Sequence, residues 1–422
     1  MKLTLPDIRF VQGVGKHAVA WLIALAPAQE LDARVRRLPT THGLRHFSNG
    51  ISGLSKISGT EHEAIFAQIL GCFHGIVPDD AVRAVTALFD FFHIAQFECQ
   101  SDNTLDGLGE ALSRFHSLKN PDNYNTKATE RLHIDLAKYA FRSTNKRDFV
   151  EQMCSGLERR ESVFWFATCL AWQNSRVFDA CLSQFSSAHG PVVLAKEPDC
   201  RRVMLGALRI SYGVQDLKAD LFNSLIDWHR IKRHRGYQPH LSNDVQHALD
   251  RLADVRTWNH AKFYTPDLQT EAAPDTLSIA YASPTRRRFD PVLVNVQGDE
   301  WSQRCVRIGR LQAIFKVPMA LEQPLFGHHL PSHLASVVWY TAIPSQPNRV
   351  NGMFHVELAR STNGAIQTGI VEVLNIRRAC QLIPKFGRDK VDKPLHSGNI
   401  MDAYSSFYVD NRGHKDAYRS IY

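Results

Sequence analysis

The chain has 422 residues, of which 44% are hydrophobic and 22% charged, proportions that exclude a disordered polymer and a small disulfide-stapled scaffold. Its 50 Lys and Arg stand against 42 Asp and Glu, a formal charge of +8, which admits an acidic polymer such as nucleic acid as partner without requiring one. The 8 Cys form no C-x-x-C pair, residues 1–10 lack the unbroken apolar segment of a signal peptide, and no run approaches ~18 apolar residues, so a reduced, intracellular setting without a membrane is expected.

From the N-terminus, Trp21, Leu22, Leu25, Leu31 and Val35 recur at helical spacing with Pro27 between them, which predicts two short helices over 19–38. A Gly- and Ser-rich loop follows over 45–58. Thr60, with Glu63 three residues on, has capping-box form and predicts a helix start there. Pro78, Asp79 and Asp80 open the next helix, which runs to 97 with Ala84, Leu88, Phe91, Phe92 and Ala95 on its apolar side. Further helices are predicted over 104–116, 126–141 and 147–172, with a turn at 119–123. Between 176 and 255 the pattern weakens, although 203–210 and 217–228 stay apolar enough to pack.

Beyond 256 alternating β-branched runs take over, at 291–296, 306–317, 335–343, 353–358 and 370–376, with Asn351-Gly352 and Asn363-Gly364 as turns. The expected fold is therefore α+β. A mainly helical N-terminal half covers 1–175, a helical and basic connecting region 176–255, and an antiparallel β domain, built as a small barrel, 256–422.

Motifs of known mechanics are sparse. Val11-Gln12-Gly13-Val14-Gly15-Lys16-His17 lacks the spacing with which a loop wraps phosphates, and there is no Gly-x-Ser-x-Gly elbow or His-Glu-x-x-His. Arg230, Lys232, Arg233 and Arg235, flanked by Trp228 and Tyr237, form a basic stretch that could track a phosphate backbone or serve as a nuclear-localisation signal. A solvated loop on a basic protein would look the same. On the 126–141 helix Glu130 and His133 share a polar face, a pattern open to a metal, to DNA or to plain solvent.

The stretch DNYNTKATERLHIDLAK at 122–138, continued by RSTNKRD at 142–148, closely resembles the corresponding block of Plavaka transposases, fungal cut-and-paste DNA transposases related to the CACTA group. LPTTHGLRHF at 38–47, ISGTEH at 57–62, LGC at 70–72 and IAQ at 94–96 resemble the region upstream of that block. Phe289-Asp290, Leu293-Val294 and the segments 307–315, 334–340 and 376–380 resemble the family's C-terminal domain, so the likeness runs in order along most of the chain.

The resemblance implies a ribonuclease-H-like core in which three acids hold two Mg²⁺ or Mn²⁺ ions for phosphodiester cleavage and strand transfer. It also implies a nuclear address and DNA as partner. The first two acids and a Cys/His finger are expected upstream of the matched region, which leaves Glu130 as the third acid, a vestigial site that binds metal weakly. Two departures accompany it: the Glu of the family's "NTE" is Lys127 here, and a stretch that intact members carry between 115–119 and 122–124 is missing. The expected function is thus the C-terminal part of a transposase, inactive alone and in contact with DNA. The alternative is a host-recruited DNA- or chromatin-binding module of the same origin.

Overall fold

The computed structural model describes residues 16–54, 57–95, 102–118, 145, 147, 151, 152, 155, 159, 192–231, 243–265, 276–296, 306–327, 331–388, 390, 391 and 394–410. The chain divides into two compact units, one made of 1–25, 57–66 and 77–186 and the other of 26–56, 67–76 and 187–422. The described residues combine helices with antiparallel sheets, so the fold is α+β. None of their helices is long and apolar enough to cross a membrane.

The first unit is mainly helical where it is described. It holds α1 (Lys16–Leu25), the opening of α3 (Gly59–Phe73), α4 (Asp79–Ala95) and α5 (Asp102–Ser117). The cap of α3 lies two residues before the expected one: Ser58 Oγ accepts from the Glu61 N–H at 3.4 Å and Glu61 returns a carboxylate oxygen to the Ser58 N–H at 2.8 Å. Ser58-Gly59-Thr60-Glu61 is itself a capping box, so the chain held two overlapping start signals and the earlier one closes the helix. In α4, Val82, Val85, Leu88, Phe89 and Phe92 are buried, and Asp79 and Asp80 meet the positive end of its dipole as their sequence position suggests. Phe66 stacks on Phe89 with ring centroids 3.5 Å apart. Arg114 on α5 reaches the buried Asp90 at 3.2 Å.

The second unit carries every described strand. Its main sheet runs β2 (Cys200–Met204), β3 (Asp254–Trp258), β8 (Val306–Lys316), β9 (Leu334–Trp339), β11 (Thr368–Glu372), with β7 (Pro291–Asn295) also on β8 and β12 (Ile376–Ala379) on β7. Helices α6 (Leu217–Ile231), α7 (Asn243–Arg251) and α8 (Met319–Phe326) enclose one core with Leu221, Leu225, Leu249, Val255, Phe315 and Leu325. A second core gathers Trp258, Phe263, Val292, Ile314, Val337 and Val371. There a four-stranded sheet is built from β1 (Val192–Val193), β4 (His260–Thr265), β5 (Thr276–Ser283) and β6 (Arg288–Phe289). A third sheet is β10 (Phe354–Glu357), β14 (Ser406–Asp410), β13 (Gln381–Pro384).

The expected small barrel is not what these strands form. Among the described residues they make three open sheets, none closed on itself. The reason lies in β8. Its pairing partner on one side changes along its length, β7 at 306–310 and β3 at 314–316, and a register shift between Leu311 and Ala313 turns the strand. A sheet that branches at a bulge splits into packed layers rather than one ring.

The helical reading of the N-terminal half holds for α1, α2 (Ala28–Arg37), α3, α4 and α5; the helix expected over 126–141 lies outside the described residues, and of that expected over 147–172 only 147, 151, 152, 155 and 159 are described, the last four of them helical. Of α2, Arg34 is fully buried. Its guanidinium meets Glu30 at 2.9 Å and donates to the carbonyls of Cys72, His74 and Gly387 at 3.2, 2.8 and 2.8 Å, over the Phe386 ring.

Candidate nucleic-acid interface

Strands β4 and β5 alternate strictly. Ala261, Phe263, Ala280 and Ala282 point into the second core and are at most 1% exposed, and the Ser278 hydroxyl, on the same side, accepts from the Ala379 N–H at 3.2 Å. By period two, the opposite face carries His260, Lys262 and Tyr264 on β4 and Leu277, Ile279 and Tyr281 on β5, paired His260 with Tyr281, Lys262 with Ile279 and Tyr264 with Leu277. All six are partly or well exposed, as is Val193 opposite Lys262. The His260 and Tyr281 rings lie 5.6 Å apart and tilted by 30°. Small inward alanines let the sheet sit close on its core, and the larger side chains are left outside.

The β5–β6 turn adds charge to one end of this face. The Arg287 N–H donates to the Pro284 carbonyl at 3.1 Å, closing Pro284-Thr285-Arg286-Arg287. Arg287 has φ +48°, and no other described non-glycine residue has a positive φ. A side chain in the left-handed region costs about 1–2 kcal/mol that glycine would avoid. Arg286 and Arg287 are exposed, and neither makes an ion pair among the described residues.

Arg288 is committed differently. Its Nε and outer nitrogen lie 2.8 and 2.9 Å from the carboxylate of Asp290, and its guanidinium stands 4.2 Å from the Tyr281 ring centroid. Asp290 also accepts from the Tyr281 N–H at 3.1 Å. Burial pushes the Asp290 carboxyl above its ordinary value, against the pull of Arg288 and of that N–H. The Arg288–Asp290 pair therefore holds Tyr281 and the turn, leaving Arg286, 5.4 Å from the same ring, and Arg287 to face solvent. Nearby, His42 is kept below the usual histidine value by its burial and by Arg288.

The residues singled out by sequence fare unequally. Arg230 lies in the last turn of α6, and Lys232, Arg233, Arg235 and Glu130 lie outside the described residues. No three His, Cys, Asp or Glu side chains gather as a metal site among the described residues, and Mg²⁺ or Mn²⁺ chemistry would rest on Glu130 and acids beyond them. Cys72 and Cys380 are buried with their thiols pushed up to about 12 by burial, which suits packing and not nucleophilic attack. Ser406 and His355 approach to 2.6 Å, but Glu357 lies 3.7 Å from the same ring nitrogen, so among the described residues no acid orients the far nitrogen as a Ser-His-acid triad needs.

Reading by charge runs passed over Tyr281 and Arg286–Arg288. The available signal was an Arg-Arg-Arg turn after Pro284-Thr285, preceded by the alternation of 276–283. Compared with family models, curated proteins and solved structures, the chain matches none.

Proposed function

We propose that this chain is a transposase-derived DNA-binding protein of the Plavaka type, which contributes contact with nucleic acid rather than phosphodiester cleavage. The observation that supports it is the β5–β6 turn: two exposed arginines, Arg287 with its backbone held in an unfavourable conformation, next to Tyr281 and the part-buried Arg288–Asp290 pair. Strain kept at a surface turn where glycine would serve points to a use for the side chain.

Arginines of this kind meet phosphate oxygens by charge-assisted hydrogen bonds and read no sequence. Arg230, Lys232, Arg233 and Arg235 are proposed as further phosphate contacts on the strength of their sequence alone. Glu130 is the relic of a metal-binding acid, holding Mg²⁺ or Mn²⁺ weakly, and the protein works in the nucleus. The test is fluorescence anisotropy of labelled DNA with the full chain at several salt concentrations. Replacing Arg286 and Arg287 by Ala is expected to weaken binding alike for all sequences and to flatten the log–log salt slope by about 0.9 per lost phosphate contact on duplex. Affinity and slope unchanged in a folded double variant would remove the turn from the binding surface.

A further inference from the structure

We infer that the outer face of β4 and β5 takes single-stranded DNA, with unpaired bases on the rings of Tyr281 and Tyr264 and phosphates on Arg286, Arg287 and Lys262. The inference rests on the nucleic-acid reading above and specifies which form of nucleic acid the face receives. Aromatic faces reward a base only when that base is unpaired and splayed out, because a duplex shows base edges in its grooves and keeps the faces stacked. On this sheet the rings stand on half-buried, outward-facing positions among cations, the combination that holds a single strand without reading its sequence.

Spacing narrows the ligand. His260 and Tyr264 are four residues apart on one strand, about 13 Å at ~3.3 Å per residue, and Tyr281 faces His260 across the ladder. A stacked strand advances only about 3.4 Å per nucleotide. Bases resting on both tyrosines are therefore not stacking neighbours, and each must turn out of the stack separately, which an unpaired strand can do and a duplex cannot. Between the rings lie Leu277 and Ile279, with Val193 beside Lys262. That aliphatic lining suits deoxyribose better than a ribose whose 2′-hydroxyl needs a polar partner.

Tyr281 is prepared to receive a base. Arg288 is fixed over its ring at 4.2 Å by Asp290, whereas Arg286, over the ring at 5.4 Å, has no carboxylate partner among the described residues. Arg286 can swing from the ring to a phosphate as a base arrives, and His260, 5.6 Å away, extends the platform. Charge enters at the turn end of the face and again at Lys262, so a backbone running along β5 passes cations at both places.

The test uses the full chain with three labelled probes of one mixed sequence: single-stranded DNA, its duplex and the same strand as RNA. At fixed salt the single strand is expected to bind at least about 10-fold more tightly than the duplex, and Tyr281→Ala and Tyr264→Ala each to lose about 10-fold on the single strand while moving duplex affinity less than about 2-fold. Tyr281→Phe and Tyr264→Phe keep the rings and are expected to keep the affinity, which separates stacking from misfolding. Duplex binding as tight as single-strand binding, or tyrosine variants that weaken both probes equally, would overturn the single-strand assignment while leaving DNA binding in place. Tighter binding of the RNA probe would overturn the choice of DNA. Absence of binding to all three would defeat this inference together with the function from which it starts.

Discussion

Arg34 on α2 and the arginines of the β5–β6 turn place the same side chain in opposite circumstances. Arg34 is buried, paired with Glu30, and donates to carbonyls from segments up to 353 residues away. Arg286 and Arg287 lie on the surface, and the backbone carrying Arg287 is strained. The first arrangement gives each nitrogen of a buried guanidinium an acceptor and so holds chain segments together. The second leaves donors turned to solvent on a rigid support, the condition for meeting a ligand. Arg288 stands between them, its charge met by Asp290 and its plane near Tyr281, so that it fixes the turn rather than binding. What an arginine does here follows from who accepts its hydrogen bonds, and its neighbours in sequence carry little of that information.

The largest expected effect breaks the first arrangement. Arg34→Met strands Glu30 and leaves buried carbonyls without donors, so urea unfolding is expected to show a loss of about 3–5 kcal/mol. Arg34→Lys is expected to recover only part of it, since an ammonium cannot reproduce the fork that reaches three carbonyls. A change below about 1 kcal/mol for both would mean that the contacts are incidental.

Arg287→Gly should move stability and binding in opposite directions. Relief of the left-handed conformation is expected to stabilise the fold by about 1 kcal/mol, while DNA affinity falls with the lost phosphate contact. Were both to fall, the turn would be structural like Arg34. Asp290→Asn sharpens the role of Arg288. Because burial already works against the charged carboxylate, the loss of stability is expected to be smaller than for Arg34→Met, and binding to weaken several-fold as the turn loosens.

The smallest effect concerns pH. His42, His333 and His355 are held below the ordinary histidine value, chiefly by burial and then by Arg288, Lys316 and Lys385 respectively. A group lowered in this way contributes stability that is present above its unfolded value of about 6.5 and is lost as pH falls through its folded value. Thermal melts should therefore shift downward on acidification below about 6.5, and His333→Asn, removing the ring that meets Trp258 edge-on at 4.5 Å, should flatten that limb. Asp290 and Asp220 run the other way: their raised values contribute stability that is present below about 3.8 and lost as pH rises through the folded values.

Local signals were legible where physics is local. Pro78, Asp79 and Asp80 mark the start of α4, the β-branched runs give β7, β8 and β9, and Asn351-Gly352 and Asn363-Gly364 are turns with Gly352 at φ +63° and Gly364 at φ +82°. The contact of Arg34 with Gly387 could not be read, because nothing in either neighbourhood names a partner so distant in the chain. The open sheets replaced the expected barrel because a bulge in β8 is written in backbone geometry, with no residue type that demands it. Strands β4 and β5 escaped notice because their inward positions are largely alanine, too weak an apolar signal for a pattern search. The Arg286–Arg288 group escaped because three charges in a turn are less conspicuous than the run at 230–235.

The most direct test is photocross-linking of a single-stranded DNA carrying 5-bromodeoxyuridine to the full chain, followed by peptide mapping. The expected cross-links fall on Tyr264 and Tyr281 and in the flanking 260–264 and 281–288 segments, and they disappear in the Tyr264→Ala/Tyr281→Ala double variant. Cross-links confined to 228–237 or to other segments, with these two strands unmodified, would contradict the assignment of the outer β4–β5 face as the DNA-binding surface.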